Sequence, residues 1–181
     1  MKNFEDFQLI HLFKQDPEGA VRKILEEYQD RIFNLCVYML GSREDAQDAA
    51  QDAFIKLYRS FKNFTPEASI YTWLYRIAVN TCIDYKRRPQ RLLVDNGDPI
   101  NRIAAPGPSP ERIYESKEAS RLVQVALEGL SSELNTVIIL REIEGFSYED
   151  IAEVLQISMG TVKSRISRAR DALRQLLRDK L

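Results

Sequence analysis

The sequence predicts an all-α protein, two small helical domains joined by a flexible linker, the C-terminal one a helix-turn-helix. Two observations carry this. Apolar residues recur at spacings of three and four along most of the 181-residue chain, and the one strand-like stretch, VIIL at 137–140, lies inside a helical period. Five of the seven prolines fall between Pro89 and Pro110, together with Gly97 and Gly107, a composition that neither helix nor sheet accommodates. A structureless run of that length is out of place inside one compact domain, so the domain boundary belongs there.

Each helix has its own punctuation. Asp16 caps and Pro17 opens a helix running through VRKILEEYQDRIFNLCVYML to Gly41. Ser42 starts the next in an S-x-x-D arrangement with Asp45, continuing through AQDAAQDAFIKLYRSF. After the loop NFTPEAS, Ser69 caps IYTWLYRIAVNTCIDYKRR, which ends at Pro89. Downstream, EASRLVQVALEGL, ELNTVIILREIEG, SYEDIAEVL and the basic segment from Thr161 give four helices, parted by Gly129, Gly145 and Ile157-Ser158.

The formal net charge is only -1, yet charge is segmented. Residues 156–181 hold seven Lys and Arg against two Asp, a net +5, while residues 141–155 hold one Arg against five acids, a net -4. Different faces therefore suit partners of opposite charge. Cys36 and Cys82 lie 46 residues apart without a C-x-x-C, and His11 is the only histidine. That inventory assembles no metal site and reads as two free thiols in a reducing cytoplasm. One histidine, no nucleophile-base pair and no Gly-rich phosphate loop argue against an enzyme and against a cofactor. No basic-then-apolar leader opens the chain, and no apolar run nears the roughly 20 residues of a membrane span, so a cytoplasmic protein without membrane insertion is expected.

Wound as a helix, the segment from Thr161 places Val162, Ile166, Ala169, Leu173 and Leu176 on one side. Ser164, Ser167 and Asp171 sit opposite, flanked by Lys163 and Arg168. The preceding FSYEDIAEVLQISMG supplies a short helix capped by Ser147, a three-residue turn and a second cap at Ser158. Together they form a helix-turn-helix whose second helix suits a major groove about 12 Å wide, because small side chains allow approach and cations meet phosphates and guanine edges. Arg165 and Arg170 flank the apolar stripe, which makes them phosphate or salt-bridge residues more than base readers.

The segment SIYTWLYRIAVNTCIDYKRR interleaves Tyr71, Trp73, Tyr75 and Tyr85 with Arg76, Lys86, Arg87 and Arg88, and follows a loop with Phe61 and Phe64. Ile70, Leu74, Ile77 and Thr81 face inward with Trp73 at their edge, and Thr72, Arg76, Asn80, Ile83 and Arg87 share a stripe that could face a ligand. Rings beside cations suit single-stranded DNA, where each stacked base is worth about 1–3 kcal/mol. Core packing is the competing account of the same aromatics. On the acidic helix before it, Asp45, Asp48 and Asp52 line one side with Gln51 beside them, a pattern suited to docking on a basic protein surface.

The combination DAQDAAQDAFIKLYRSFKNF, YTWLYRIAVNTCIDYKRR, a variable linker and LSSELNTVIILREIEGFSYEDIAEVLQISMGTVKSRISRARDAL strongly resembles the bacterial extracytoplasmic-function (group IV) sigma factors, over residues of about 17 to 177. The resemblance implies a region 2 domain at 1–88, a linker at 89–115 and a region 4 helix-turn-helix domain at 116–181. It implies that core RNA polymerase is gripped by Asp48, Gln51 and Asp52. It implies that the melted -10 element is read by Phe64, Ser69, Tyr71, Thr72, Trp73, Tyr75, Arg76, Asn80, Lys86 and Arg87. The duplex -35 element would be met by Arg141, Thr161, Lys163, Ser164, Arg165, Ser167, Arg168 and Arg170, and an anti-sigma factor would control the whole. Weak autonomous DNA binding is expected, because few phosphate contacts exist without polymerase. The alternative is a helix-turn-helix regulator that binds duplex DNA without acting as a polymerase subunit.

Overall fold

The computed structural model describes residues 2–61, 69–88 and 121–178, with side chains from Gln8 onward. Its helices are α1 (Lys2–Gln15), α2 (Pro17–Leu40), α3 (Arg43–Ser60), α4 (Ile70–Arg87), α5 (121–128), α6 (Ser132–Ile138, prolonged by a π-helical turn, Ile139–Ile143), α7 (Tyr148–Leu155) and α8 (Met159–Arg178). Among the described residues there is no strand. The expected linker and the loop residue Phe64 lie outside the described residues.

The caps read from the sequence are made. Asp16 Oδ1 accepts from the Gly19 N–H at 3.0 Å, Ser42 Oγ from Asp45 at 3.2 Å and Ser69 Oγ from Thr72 at 3.0 Å. Each satisfies one of the orphan donors of a first helical turn. Ser147 and Asp150 form a reciprocal capping box at α7. Gly41 ends α2 at φ 73°, a left-handed conformation natural to glycine. A Cβ there would also meet the Glu128 carboxylate of α5, which would have to swing aside.

α2, α3 and α4 make the first bundle. Ala46, Ala49 and Ala53 are fully buried on α3 and bring its backbone close to its neighbours, while Ile24, Ile32 and Leu35 from α2 and Leu74 and Ala78 from α4 fill the interior. α1 completes it, with Phe13 stacked on Phe61 at 3.7 Å between ring centroids. In sequence the apolar residues of α1 are spread around the whole helical circumference, so no stripe announces its packing face. The second bundle sets Val137 to Leu140 against Ile151 and Val154 of α7 and Val162, Ile166 and Ala169 of α8. The VIIL stretch is helical, as its period requires, with its last two residues in the π turn.

The bundles do not stand apart. One apolar cluster runs through both, because α4 packs on α7 and on the loop that leads into it. Gly145, at φ 72°, turns the chain so that Phe146 enters this contact, where it is 2% exposed.

Candidate nucleic-acid interface

The α7–turn–α8 unit has the anticipated form. Gln156 closes α7 in a left-handed conformation (φ 54°), Ile157 and Ser158 complete the turn, and Ser158 Oγ accepts from the Thr161 N–H at 3.1 Å. Burial of Val162, Ile166 and Ala169 fixes the rotation of α8, and with it the outward direction of Lys163, Ser164, Ser167 and Arg168, all exposed. Arg168 Nε contacts the Ser164 carbonyl at 3.3 Å, a weak tie within one exposed helix. The other arginines are engaged. Arg165 pairs with Glu133 at 2.8 Å and Arg170 with Glu142 at 2.6 Å, bracing α8 against α6 and its π turn. Arg141 Nη1 donates to the Phe146 carbonyl at 2.6 Å and its guanidinium lies 5.1 Å from the Tyr148 ring centroid. Thr161 is half-buried beside its cap.

α4 carries the aromatic candidates, and the structure divides them. Asn80, Lys86 and Arg87 are exposed. Trp73 is half-buried, edge-on to Phe61 at 5.6 Å. Thr72 departs from its expected stripe: its Oγ1 lies 2.9 Å from the capping Ser69 hydroxyl, and it is 2% exposed. Tyr75 is wholly buried, and its hydroxyl donates to Glu144 Oε2 at 2.5 Å. Burial, then that carboxylate, pushes its phenol far above the ordinary tyrosine range. Tyr71 stacks on Phe146 with centroids 4.9 Å apart at 16°, and Arg31 donates to its hydroxyl at 3.2 Å. Arg76 Nη2 donates to the Glu153 carbonyl at 2.9 Å.

α3 presents the third surface. Asp48 and Gln51 are exposed, and Asp52 is half-buried because its Oδ2 accepts from the Tyr85 hydroxyl at 2.9 Å. Beside them the sequence reading missed a groove of about 530 Å³ between α2 and α3, lined by Val21, Leu25, Phe33, Gln51, Ile55 and Tyr58 among others. Ile55 and Tyr58 were its available signal, large apolar side chains off the Ala46, Ala49 and Ala53 stripe that α3 buries. Among the described residues no group of three or more His, Cys, Asp or Glu could hold a metal, and no helix is long and apolar enough to cross a membrane.

Comparison with known proteins adds to this geometry. The Sigma-70 region 2 family matches residues 24–92, and the Sigma-70 region 4 family matches residues 120–173. The RNA polymerase sigma-H factor of Pseudomonas aeruginosa is 39% identical, over 96% of this chain and 94% of its own. The ECF RNA polymerase sigma factor SigW of Bacillus subtilis is 38% identical, over 92% and 93%. Among solved structures, CnrH in complex with the cytosolic domain of CnrY has a similar fold, with a TM-score of 0.74 at 24% identity over 97% of this chain and 99% of that one.

Proposed function

We infer how the surfaces divide their work from one premise: the chain belongs to the extracytoplasmic-function sigma factors of RNA polymerase. The protein binds core RNA polymerase, directs it to promoters through -35 and -10 elements and initiates transcription there. It supplies recognition rather than catalysis and works where polymerase works, in the cytoplasm.

In this reading residues 1–88 form the region 2 domain, 89–115 the linker and 116–181 the region 4 domain. Asp48, Gln51 and Asp52 dock on a basic surface of the polymerase, supported by their shared face on α3 and the apolar groove beside it. The α4 residues Tyr71, Trp73, Arg76, Asn80, Lys86 and Arg87, with Ser69 and Phe64 before them, hold unstacked -10 bases, since rings accept bases and cations accept phosphates, while Thr72 and Tyr75, buried here, support that helix from within. On α8, Lys163, Ser164, Ser167 and Arg168 meet the major groove of the -35 element. Arg141, Thr161, Arg165 and Arg170 border that face, three of them as internal braces. An anti-sigma factor is the partner expected from family membership.

The observation that carries the reading is the pairing on one chain of an outward basic recognition helix with an aromatic, cationic helix on a separate bundle. A regulator confined to duplex DNA has no use for the second. The test is in vitro transcription with purified core enzyme and a genomic DNA library. Defined start sites that depend on the added protein support the reading; specific duplex shifting without transcription would leave the regulator.

A further inference from the structure

We propose that Phe13 on α1 is a positioning residue for -10 recognition, acting through Phe61 to fix the ring of Trp73 on α4. The proposal rests on the reading of α4 as the base-binding helix.

α1 takes part in none of the surfaces assigned above, yet it commits a bulky ring to the point where α3 ends. Its buried side chains, Leu9 and Phe13, lie one turn apart on the face that meets the bundle. Phe13 lies flat on Phe61, the residue that closes α3, with the ring planes 15° apart and the centroids 3.7 Å apart. Tyr58 stands edge-on to the same Phe13 ring at 6.4 Å, which holds it from a second side. Phe61 in turn stands edge-on to Trp73, with centroids 5.6 Å apart and planes at 74°. Phe13, Phe61 and Trp73 thus form a path of rings from α1, across the end of α3, to α4.

The path matters because stacking is directional. A base needs an indole face presented at one tilt, and Trp73 is half-buried, so part of its ring reaches solvent. The backbone of α4 does not set that tilt. Ser69 caps the helix at the Thr72 N–H, and the Trp73 N–H donates to the Ser69 carbonyl at 2.9 Å. Those bonds fix where the side chain leaves the helix and leave its rotamer to be chosen by packing. An edge-to-face neighbour is a preferred arrangement of two rings and selects one setting of the indole. Phe61 supplies it while its own plane is held, and the parallel ring of Phe13 holds that plane. A leucine at position 13 keeps the site apolar but has no flat face, so Phe61 tilts and Trp73 follows. A site held ready in this way binds without the cost of ordering the ring when DNA arrives.

The experiment uses holoenzyme reconstituted from the full chain and core polymerase, on templates built from a start site that the wild-type protein uses, with each -10 base randomised in turn. The quantity read is selectivity, the ratio of transcript from the preferred base to transcript from the others, which does not depend on the fraction of active protein. Phe13→Leu should lower selectivity at one position by about threefold to tenfold, the worth of one aromatic pair. Phe13→Tyr, which keeps the flat ring, should retain it. Fluorescence of the free chain reports Trp73 directly, since it is the only tryptophan, and its emission should shift in Phe13→Leu. Trp73→Ala should lower selectivity at the same position at least as far, and Phe13→Leu should take nothing further from it, as expected of two residues on one path. A uniform loss of transcript with selectivity unchanged, or an unshifted emission, overturns the proposal and leaves Phe13 a packing residue. A further loss of selectivity on the Trp73→Ala background overturns the route through Trp73. Intact -10 selectivity in Trp73→Ala itself removes the base-binding role of that ring, and the proposal with it.

Discussion

Arg170 on α8 grips the carboxylate of Glu142 with two nitrogens, Nε at 3.0 Å and Nη2 at 2.6 Å from the same oxygen. The pair ties the recognition helix to the π turn, and both side chains are 48% exposed. An exposed pair of this kind contributes about 0–1 kcal/mol. Arg170→Ala should therefore lower stability by no more than about 1 kcal/mol in denaturant titration and change promoter selection little. Arg168→Ala should weaken transcription by about 1–3 kcal/mol if its guanidinium reads a guanine, with the loss confined to promoters carrying that base. Equal output across -35 variants would remove Arg168 from base readout.

Asp52→Lys should reduce capture of core polymerase in a pull-down. Because Asp52 also accepts from Tyr85, the loss has a structural component of about 1 kcal/mol, which Tyr85→Phe isolates. Asp48→Lys is the cleaner variant, since Asp48 is exposed on the same face. Normal capture by Asp48→Lys and Asp52→Lys together would dismiss α3 as the docking helix.

Leu74 and Ile166 are both buried, at 0% and 1% exposure, at the centres of the two bundles. Leu74→Ala and Ile166→Ala should each cost about 2–5 kcal/mol, read by thermal or chemical unfolding. Since one apolar cluster joins the bundles, each substitution should lower a single cooperative transition; two separate transitions would show that the bundles unfold independently.

Cys36 and Cys82 are each fully buried, with their sulfurs 3.4 Å apart between α2 and α4. The Cys82 thiol beside it, and then burial, push the Cys36 thiol far above the ordinary range, and burial shields both sulfurs from reagents in the native protein. Ellman's reagent should react with neither thiol in the native protein and with both in guanidinium. Prompt native reaction would mean that the first bundle opens locally.

Tyr75 ionises only far above the ordinary tyrosine range while folded, and near pH 10 when unfolded. The unfolded chain therefore loses this proton first as pH rises. The stability held by the neutral phenol is complete below about pH 10 and is lost above it. Denaturation midpoints should fall above pH 10, and Tyr75→Phe should make that alkaline limb shallower; an identical limb in the variant would dissociate it from Tyr75.

Most helix ends were legible because their causes are local. Asp16 with Pro17, Ser42 with Asp45, Ser69 before Ile70 and Ser147 with Asp150 each satisfy backbone donors within one turn, and the structure makes every one of these bonds. The orientation of α8 was legible for a similar reason, since a stripe of Val162, Ile166 and Ala169 has one way to be buried. α1 was not, because its apolar residues surround the helix and only the position of Phe61 decides that Phe13 is the one to stack. The helical period sets Thr72 on a ligand-facing stripe, but its hydroxyl is taken up by the cap that starts its own helix.

Helices, caps, the turn of the helix-turn-helix and the family could all be read along the chain, since each depends on residues a few positions apart or on contiguous motifs. Tertiary structure alone decided which candidates are at the surface. The Tyr75 to Glu144 bond spans 69 residues and the Arg76 to Glu153 bond spans 77. Pairing at that separation leaves no periodic trace in either segment, because it depends on how two finished bundles lie together.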